Sequence, residues 1–337
     1  MPVQPKLSPP VIASYLIAAF ALLLVLHQGL LAALFSGLLV YSLVHLTAPL
    51  LGKNISGHRA KMIAVALLSM LIVVALSAAI WALITFLKSD AGSLHVLLQK
   101  LADIIEASRN QIPEWLRNHL PDSAEGLREM LTTWLREHAV EAKTLGQQAG
   151  RTVVHLLIGM VIGAMAALYD TTTPHNFRPL AAALHGRIVN LNNAFHQIVF
   201  AQVRIAAINT IFTAIFLLIA LPLAGINLPL SKSMIAITFF AGLLPVIGNL
   251  ISNTVVVVVA LSYSLNTAIA ALIFLVAIHK FEYFLNAKII GLHINARAWE
   301  LLAAMLVMES LFGIPGVVAA PVLYAYIKKE LSDRALV

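Results

Sequence analysis

KSMIAITFFAGLLPVIGNLISNTVVVVVAL, residues Lys232–Leu261, is an apolar stretch of thirty residues broken near its middle by Pro245-Val246-Ile247-Gly248-Asn249. As one helix it would run ~45 Å, against a hydrocarbon core of ~30 Å. Split at the break, it gives two limbs of ~18–20 Å, each reaching just past the bilayer midplane. Trp299–Ile327 is almost as long and is broken in the same way at Gly313-Ile314-Pro315-Gly316. The two breaks predict two re-entrant helical hairpins, over 232–262 and 299–327. The tips are Pro245 and Gly248 in the first, Gly313, Pro315 and Gly316 in the second.

Charge gives an independent test. With the N-terminus in the cytoplasm and spans alternating, Lys53, Arg59, Lys61, Arg178 and Arg187 fall inside. Two unbroken crossings would put Lys280, Lys288 and Arg297 outside. Two hairpins put them inside, together with Lys328, Lys329 and Arg334, as positively charged loops require. Both termini are then cytoplasmic.

Around these hairpins the chain reads as about six full spans: Val11–Leu26, Leu30–Leu46, Met62–Leu87, Thr152–Tyr169, Arg204–Leu221 and Thr267–Ile290. The composition agrees, with 60% of the 337 residues hydrophobic and 11% charged. Soluble domains lie near ~45–50% and ~25%. Residues 88–151 break the pattern, with eight basic and nine acidic residues, and apolar positions recur there at helical spacing. The expected fold is therefore an all-α polytopic membrane protein with an amphipathic helical insertion. Its parts are spans 1–3 (1–87), the insertion (88–151), span 4 with an amphipathic cytoplasmic helix (152–203), and a core with both hairpins (204–337).

The net charge of +7 is dispersed between apolar runs, which argues against a nucleic-acid partner. There are no cysteines, hence no disulfides or thiolate metal sites. The histidines are scattered, and no P-loop, metal ligand set or paired-carboxylate spacing converges. Neither a cofactor nor a metal is expected, and an enzyme is disfavoured.

From Arg204 onward the order is span–hairpin, span–hairpin, entered from opposite sides: an inverted repeat. Broken helices at corresponding positions of two such halves point to a transporter's midplane site, because freed backbone groups must face protein or a watered cavity. The polar residues near the breaks are the candidate ligands: Asn249 and Asn253 at i and i+4 of one face, and Glu309 beside Ser310, ~18 Å into the second hairpin by helical rise. A carboxylate at that depth costs about 2.5–3.5 kcal/mol on insertion scales, so Glu309 is expected to face a cavity or be protonated, and in the leading transport reading it exchanges a proton. Glu282 and Asn286, with His279, form a stripe on the intervening span. Gln202, Arg204, Asn209 and Lys280 are supporting candidates, although the two cations suit interfacial anchoring and snorkelling as well.

In organisation over nearly its whole length, and most sharply in its last third, the chain resembles the autoinducer-2 exporter family of bacterial membrane transporters. Gly242-Leu243-Leu244-Pro245-Val246-Ile247-Gly248 is similar to that family's Ile-Pro-x-x-Gly segment. Phe312-Gly313-Ile314-Pro315-Gly316-Val317-Val318-Ala319-Ala320-Pro321 is similar to its Phe-Gly-x-x-Gly-x-x-x-Ala-x-Pro segment, offset by one at the last alanine. Ala287-Lys288-Ile289-Ile290-Gly291 stands where the family has Pro-Arg/Lys-Ile-Met-Gly, with alanine in place of proline, which marks a divergent branch. The resemblance implies small-molecule export for some members and sodium/proton antiport for others. It also implies a homo-oligomer in the bacterial inner membrane and an elevator-like movement of the hairpin domain.

The leading expectation is export of a small polar, autoinducer-2-like solute, with a proton or sodium ion as coupling ion. The first alternative is a Na⁺/H⁺ antiporter. The second is a non-transporting membrane scaffold that recruits a partner through residues 88–151.

Overall fold

A computed structural model of the chain describes residues 8–52, 58–88, 126, 129, 133, 139–172, 176–243, 247–261, 263–289 and 297–336. Among these residues there are ten helices of more than one turn and no strand. They are α1 (Pro9–His27), α2 (Leu31–Gly52), α3 (His58–Lys88), α4 (Ala139–Thr172), α5 (Pro179–Ile215), α6 (Ser231–Gly242), α7 (Ile247–Leu261), α8 (Leu265–Ile289), α9 (Ala298–Phe312) and α10 (Ile314–Ser332). Four apolar segments are long enough to cross a membrane: Pro9–His27, Leu31–Pro49, Gly146–Thr171 and Pro179–Leu223. The expected spans in α3 and α8 carry shorter apolar stretches, Met62–Ala78 and Asn266–Phe281. Large apolar side chains stand on the outer surface, such as Phe20 at 70% and Met165 at 67% exposure. Water does not tolerate such a surface over this extent, and lipid does. The expected insertion, 88–151, lies largely outside the described residues.

The helices fall into two compact units. The first comprises Met1–Ile80, Gln147–Phe200 and Ile290–Val337, and the second Trp81–Gly146 and Ala201–Ile289.

In the first unit α1 starts on Pro9 and Pro10, where a missing N–H costs nothing, and stops at Gly29 (φ +66°). Glycines on α2 and α4 let the two backbones meet. A Cβ on Gly159 would lie 2.1 Å from the Ala33 carbonyl oxygen, and one on Gly163 would lie 2.2 Å from that of Gly37. The Ser36 hydroxyl adds a hydrogen bond to the Leu156 carbonyl (2.9 Å). This small-xxx-small contact is how helices associate where no hydrophobic driving force acts between them. α10 is buried along much of its length, and Ala319, Val322, Leu323 and Tyr326 share a core with Leu26, Leu38, Leu191 and Phe195.

In the second unit α5 runs unbroken through Arg204, where the sequence reading begins a new span. Gly186 lies between, and one glycine costs a helix only ~1 kcal/mol. Beyond Ile215 the helix widens into a π-helical turn, Phe216–Ala220. Pro222 explains it: the ring cannot donate to a carbonyl four residues back, and the Leu221 N–H bonds to Phe216 instead. Phe216 stacks face to face on Phe274 of α8 (4.1 Å). The core is completed by Leu217, Leu221, Met234, Val256, Ala260, Ala271 and Leu275.

Both broken stretches form helix–helix pairs, α6 with α7 and α9 with α10. At 12 and 15 residues the first pair's limbs measure ~18 and ~22 Å, each shorter than a hydrocarbon core. The same device closes both turns. Gly248, early in α7, lies so near α6 that a Cβ there would come within 1.8 Å of the Ala241 carbonyl oxygen. Gly316, early in α10, would meet the Met308 carbonyl oxygen at 2.0 Å. Gly313 makes the second turn at φ +64°, a conformation side chains resist, and Pro315 sits in the first helical turn after it. The open end of the second hairpin is clasped by Lys328, whose ammonium donates to Glu300 (2.8 Å), and by the Tyr324 hydroxyl on the same carboxylate.

Candidate functional site

Within the second unit, four helices converge on a polar pocket. Asn209 and Thr213 come from α5, Thr238 from α6, Asn249, Ser252 and Asn253 from α7, and Leu275, Ile278 and His279 from α8. Spacing explains the convergence. Asn209 and Thr213 are i and i+4, Asn249, Ser252 and Asn253 are i, i+3 and i+4, and Leu275 and His279 are i and i+4. Each helix thus turns one polar or mixed stripe inward among apolar neighbours.

Asn209, Thr213, Thr238 and Ser252 are buried. Thr238 and Ser252 turn their hydroxyls back to main-chain carbonyls, of Met234 (2.9 Å) and Asn249 (3.3 Å) respectively. That leaves their oxygen lone pairs as acceptors. The lining therefore offers amide donors and acceptors, hydroxyl oxygens and one imidazole, with no carboxylate among the described residues. The cavity volume is about 10 Å³. That is room for about one water molecule in this conformation.

Gln202 acts just outside the pocket. Its side-chain amide donates to the Gly242 carbonyl (2.7 Å), one of the carbonyls that the end of α6 leaves without a helical partner. A Cβ on Gly242 would touch Ala206 at 3.3 Å, so α5 and the last turn of α6 are in close contact. Gln202 thereby fixes the limb of the hairpin that carries Thr238.

Of the residues singled out in the sequence, the structure brings Asn209, Asn249 and Asn253 together and places Gln202 beside them. Gly248 packs the turn from which Asn249 projects. Arg204 and Lys280 are exposed on α5 and α8 and do not line the pocket. Glu309 and Ser310 are exposed on α9, in the other unit, and the Ser310 hydroxyl bonds back to Val307 (2.9 Å). Glu282 and Asn286 lie on α8, but their side chains, like Pro245, fall outside the described residues. Thr213, Thr238 and Ser252 were passed over. For Thr213 and Ser252 the signal existed, as the i+4 and i+3 companions of Asn209 and Asn249.

Apolar helices exposed as a lipid face requires, with a small polar pocket walled by four helices, mark a multi-pass helical membrane protein. Comparison of the chain with known families makes this specific. The model for the AI-2E family transporter matches residues 12–333, and the chain belongs to that family. No curated protein and no solved structure matches it.

Proposed function

We propose that the protein is a secondary transporter that exports a small polar solute, autoinducer-2-like in chemistry, from the cytoplasm across the bacterial inner membrane. Access to the pocket alternates between the two sides by an elevator-like movement of the hairpin, and the protein works as a homo-oligomer with both termini cytoplasmic. The observation that carries the reading is the lining of amides and hydroxyls among apolar helices. Neutral amides and hydroxyls can match the hydroxyls of a small polyol one for one without a charge to desolvate. Binding at a broken helix also agrees with where transporters of inverted-repeat design hold their cargo.

Proteoliposomes loaded with unlabelled autoinducer-2 test this by counterflow of labelled solute. Asn209→Leu removes a buried amide at a cost of about 1–3 kcal/mol in cargo binding, or about five- to 150-fold in affinity. Wild-type counterflow with at least that loss in the variant is the expected result. No counterflow by the wild type, or full counterflow in the variant, contradicts it.

A second reading, Na⁺/H⁺ antiport, is favoured by one observation, the cavity's size. A space for one water suits a dehydrated monovalent cation, and amide and hydroxyl oxygens are hard ligands. Collapse of an imposed pH gradient on adding Na⁺, without solute counterflow, would select this reading instead.

A further inference from the structure

Away from the pocket, at the ends of three helices of the first unit, Asp170 gathers three side chains. The Tyr41 hydroxyl (2.5 Å) and the His45 Nε2 (2.9 Å) reach its Oδ2, and the His185 Nε2 (3.0 Å) reaches its Oδ1. Tyr41 and His45 come from α2, Asp170 from α4 and His185 from α5. The carboxylate is well covered, with 17% of its side chain exposed, and the histidines keep about a third of theirs. Phe177 packs on the His185 ring (5.0 Å), and the Tyr41 ring lies on His45 (4.0 Å). Among the described residues, no grouping of His, Asp and Glu has the geometry of a metal site.

The decisive contact is the second nitrogen of His45. Its Nδ1 lies 2.9 Å from the Tyr41 backbone carbonyl oxygen. A carbonyl oxygen only accepts, and so does an ionised carboxylate. A neutral imidazole has one N–H and one lone pair, so it can satisfy one of these two neighbours and must turn a lone pair toward the other. Both contacts form together only if the cluster holds one proton more than a neutral histidine and an ionised aspartate supply. That proton sits on the His45 ring or, equivalently for the count, on Asp170. Among the described residues, the titratable groups facing His45 are Tyr41 from its own helix and Asp170 from α4, and His185 faces Asp170 from α5. Tyr41 and His185 can each donate to the carboxylate in their neutral forms, so neither supplies the missing proton.

We infer that Tyr41, His45, Asp170 and His185 form a proton-binding site, in which one bound proton is shared by His45 and Asp170 and ties α2 to α4 and α5. Loss of the proton sets an acceptor against an acceptor at one of the two His45 contacts, so that contact is lost while the bonds from Tyr41 and His185 to Asp170 remain. The site is separate from the polar pocket, and the inference does not depend on what the pocket carries.

The test uses the full chain, labelled with [¹⁵N]histidine, in lipid bilayers at about pH 7, where an ordinary histidine is largely neutral. Solid-state NMR reads the protonation of each ring nitrogen, and His45→Gln assigns the His45 signal by its disappearance. Infrared spectroscopy on the same samples reads the carboxylic-acid band of Asp170, assigned with Asp170→Asn. Expected is either a His45 ring with both nitrogens protonated or a protonated Asp170. If Asp170→Asn does not fold, Tyr41→Phe replaces it: the Tyr41 carbonyl remains, and the proton is expected to stay. A His45 ring with one protonated nitrogen beside an ionised Asp170 in the wild type overturns the inference.

Discussion

Arg187→Met is expected to destabilise the protein by about 3–5 kcal/mol, because it strands a carboxylate with no water to replace the lost partner. Glu330, near the end of α10, is 6% exposed. It accepts from the Arg187 guanidinium of α5, from the Asn190 amide (2.9 Å) and from the Tyr15 hydroxyl of α1 (3.2 Å). Arg187 also lies over the Tyr15 ring, 4.3 Å from its centre, an attraction that strengthens as water is excluded. Three helices distant in sequence are thus joined through one buried ion pair. The double variant Arg187→Met/Glu330→Met removes both charges together and should recover much of the loss, since a well-packed apolar pair often matches a buried ion pair. Denaturant unfolding in detergent reads both. A loss under about 1 kcal/mol for Arg187→Met, typical of an exposed pair, would show that the contact is solvated.

Gly163→Leu should disrupt the first unit at least as severely. The neighbour its Cβ would strike is the main chain of Gly37, not the end of a flexible side chain. Overpacking an ordinary core costs about 1–3 kcal/mol because side chains can shift. Here α2 would have to move away from α4, losing the Ser36–Leu156 bond and the packing of Val40, Val44 and Met160 together. The control lies on the same helix: a Cβ on Gly150 meets nothing within 4 Å, so Gly150→Leu should leave stability unchanged or slightly raised. Equal behaviour of the two variants in detergent unfolding would refute the close approach.

These two contacts also show what the sequence could and could not disclose. The hairpin breaks were legible, because glycine and proline interrupting an apolar run mark local backbone events. Gly248 and Gly316 each stand where the two helices of a pair approach most closely, against the Ala241 and Met308 carbonyls. Asn249 and Asn253 were legible for a related reason, since i and i+4 share a helix face whatever surrounds it. Glu309 shows the limit of that reasoning. Its depth sets the cost of burying it but not its direction around the helix axis. The structure leaves it exposed, on one stripe with Leu302 and Leu306 of its own helix. Arg187 with Glu330 and Tyr41 and His45 with Asp170 join positions more than 120 residues apart, which no helical period encodes. Gly159-x-x-x-Gly163 was written in a recognisable form, but a lone pair of glycines does not name the helix it will meet.

The pocket's role as a cargo site open to each side in turn is tested most directly by Ser252→Cys. The chain has no cysteine of its own, Ser252 lines the pocket, and the exchange barely alters size. Labelling with a membrane-impermeant thiol reagent is measured in right-side-out and in inside-out vesicles. The account predicts modification from both sides, slowed from both when the transported solute is added. Modification from one side alone, at a rate no solute changes, would contradict it.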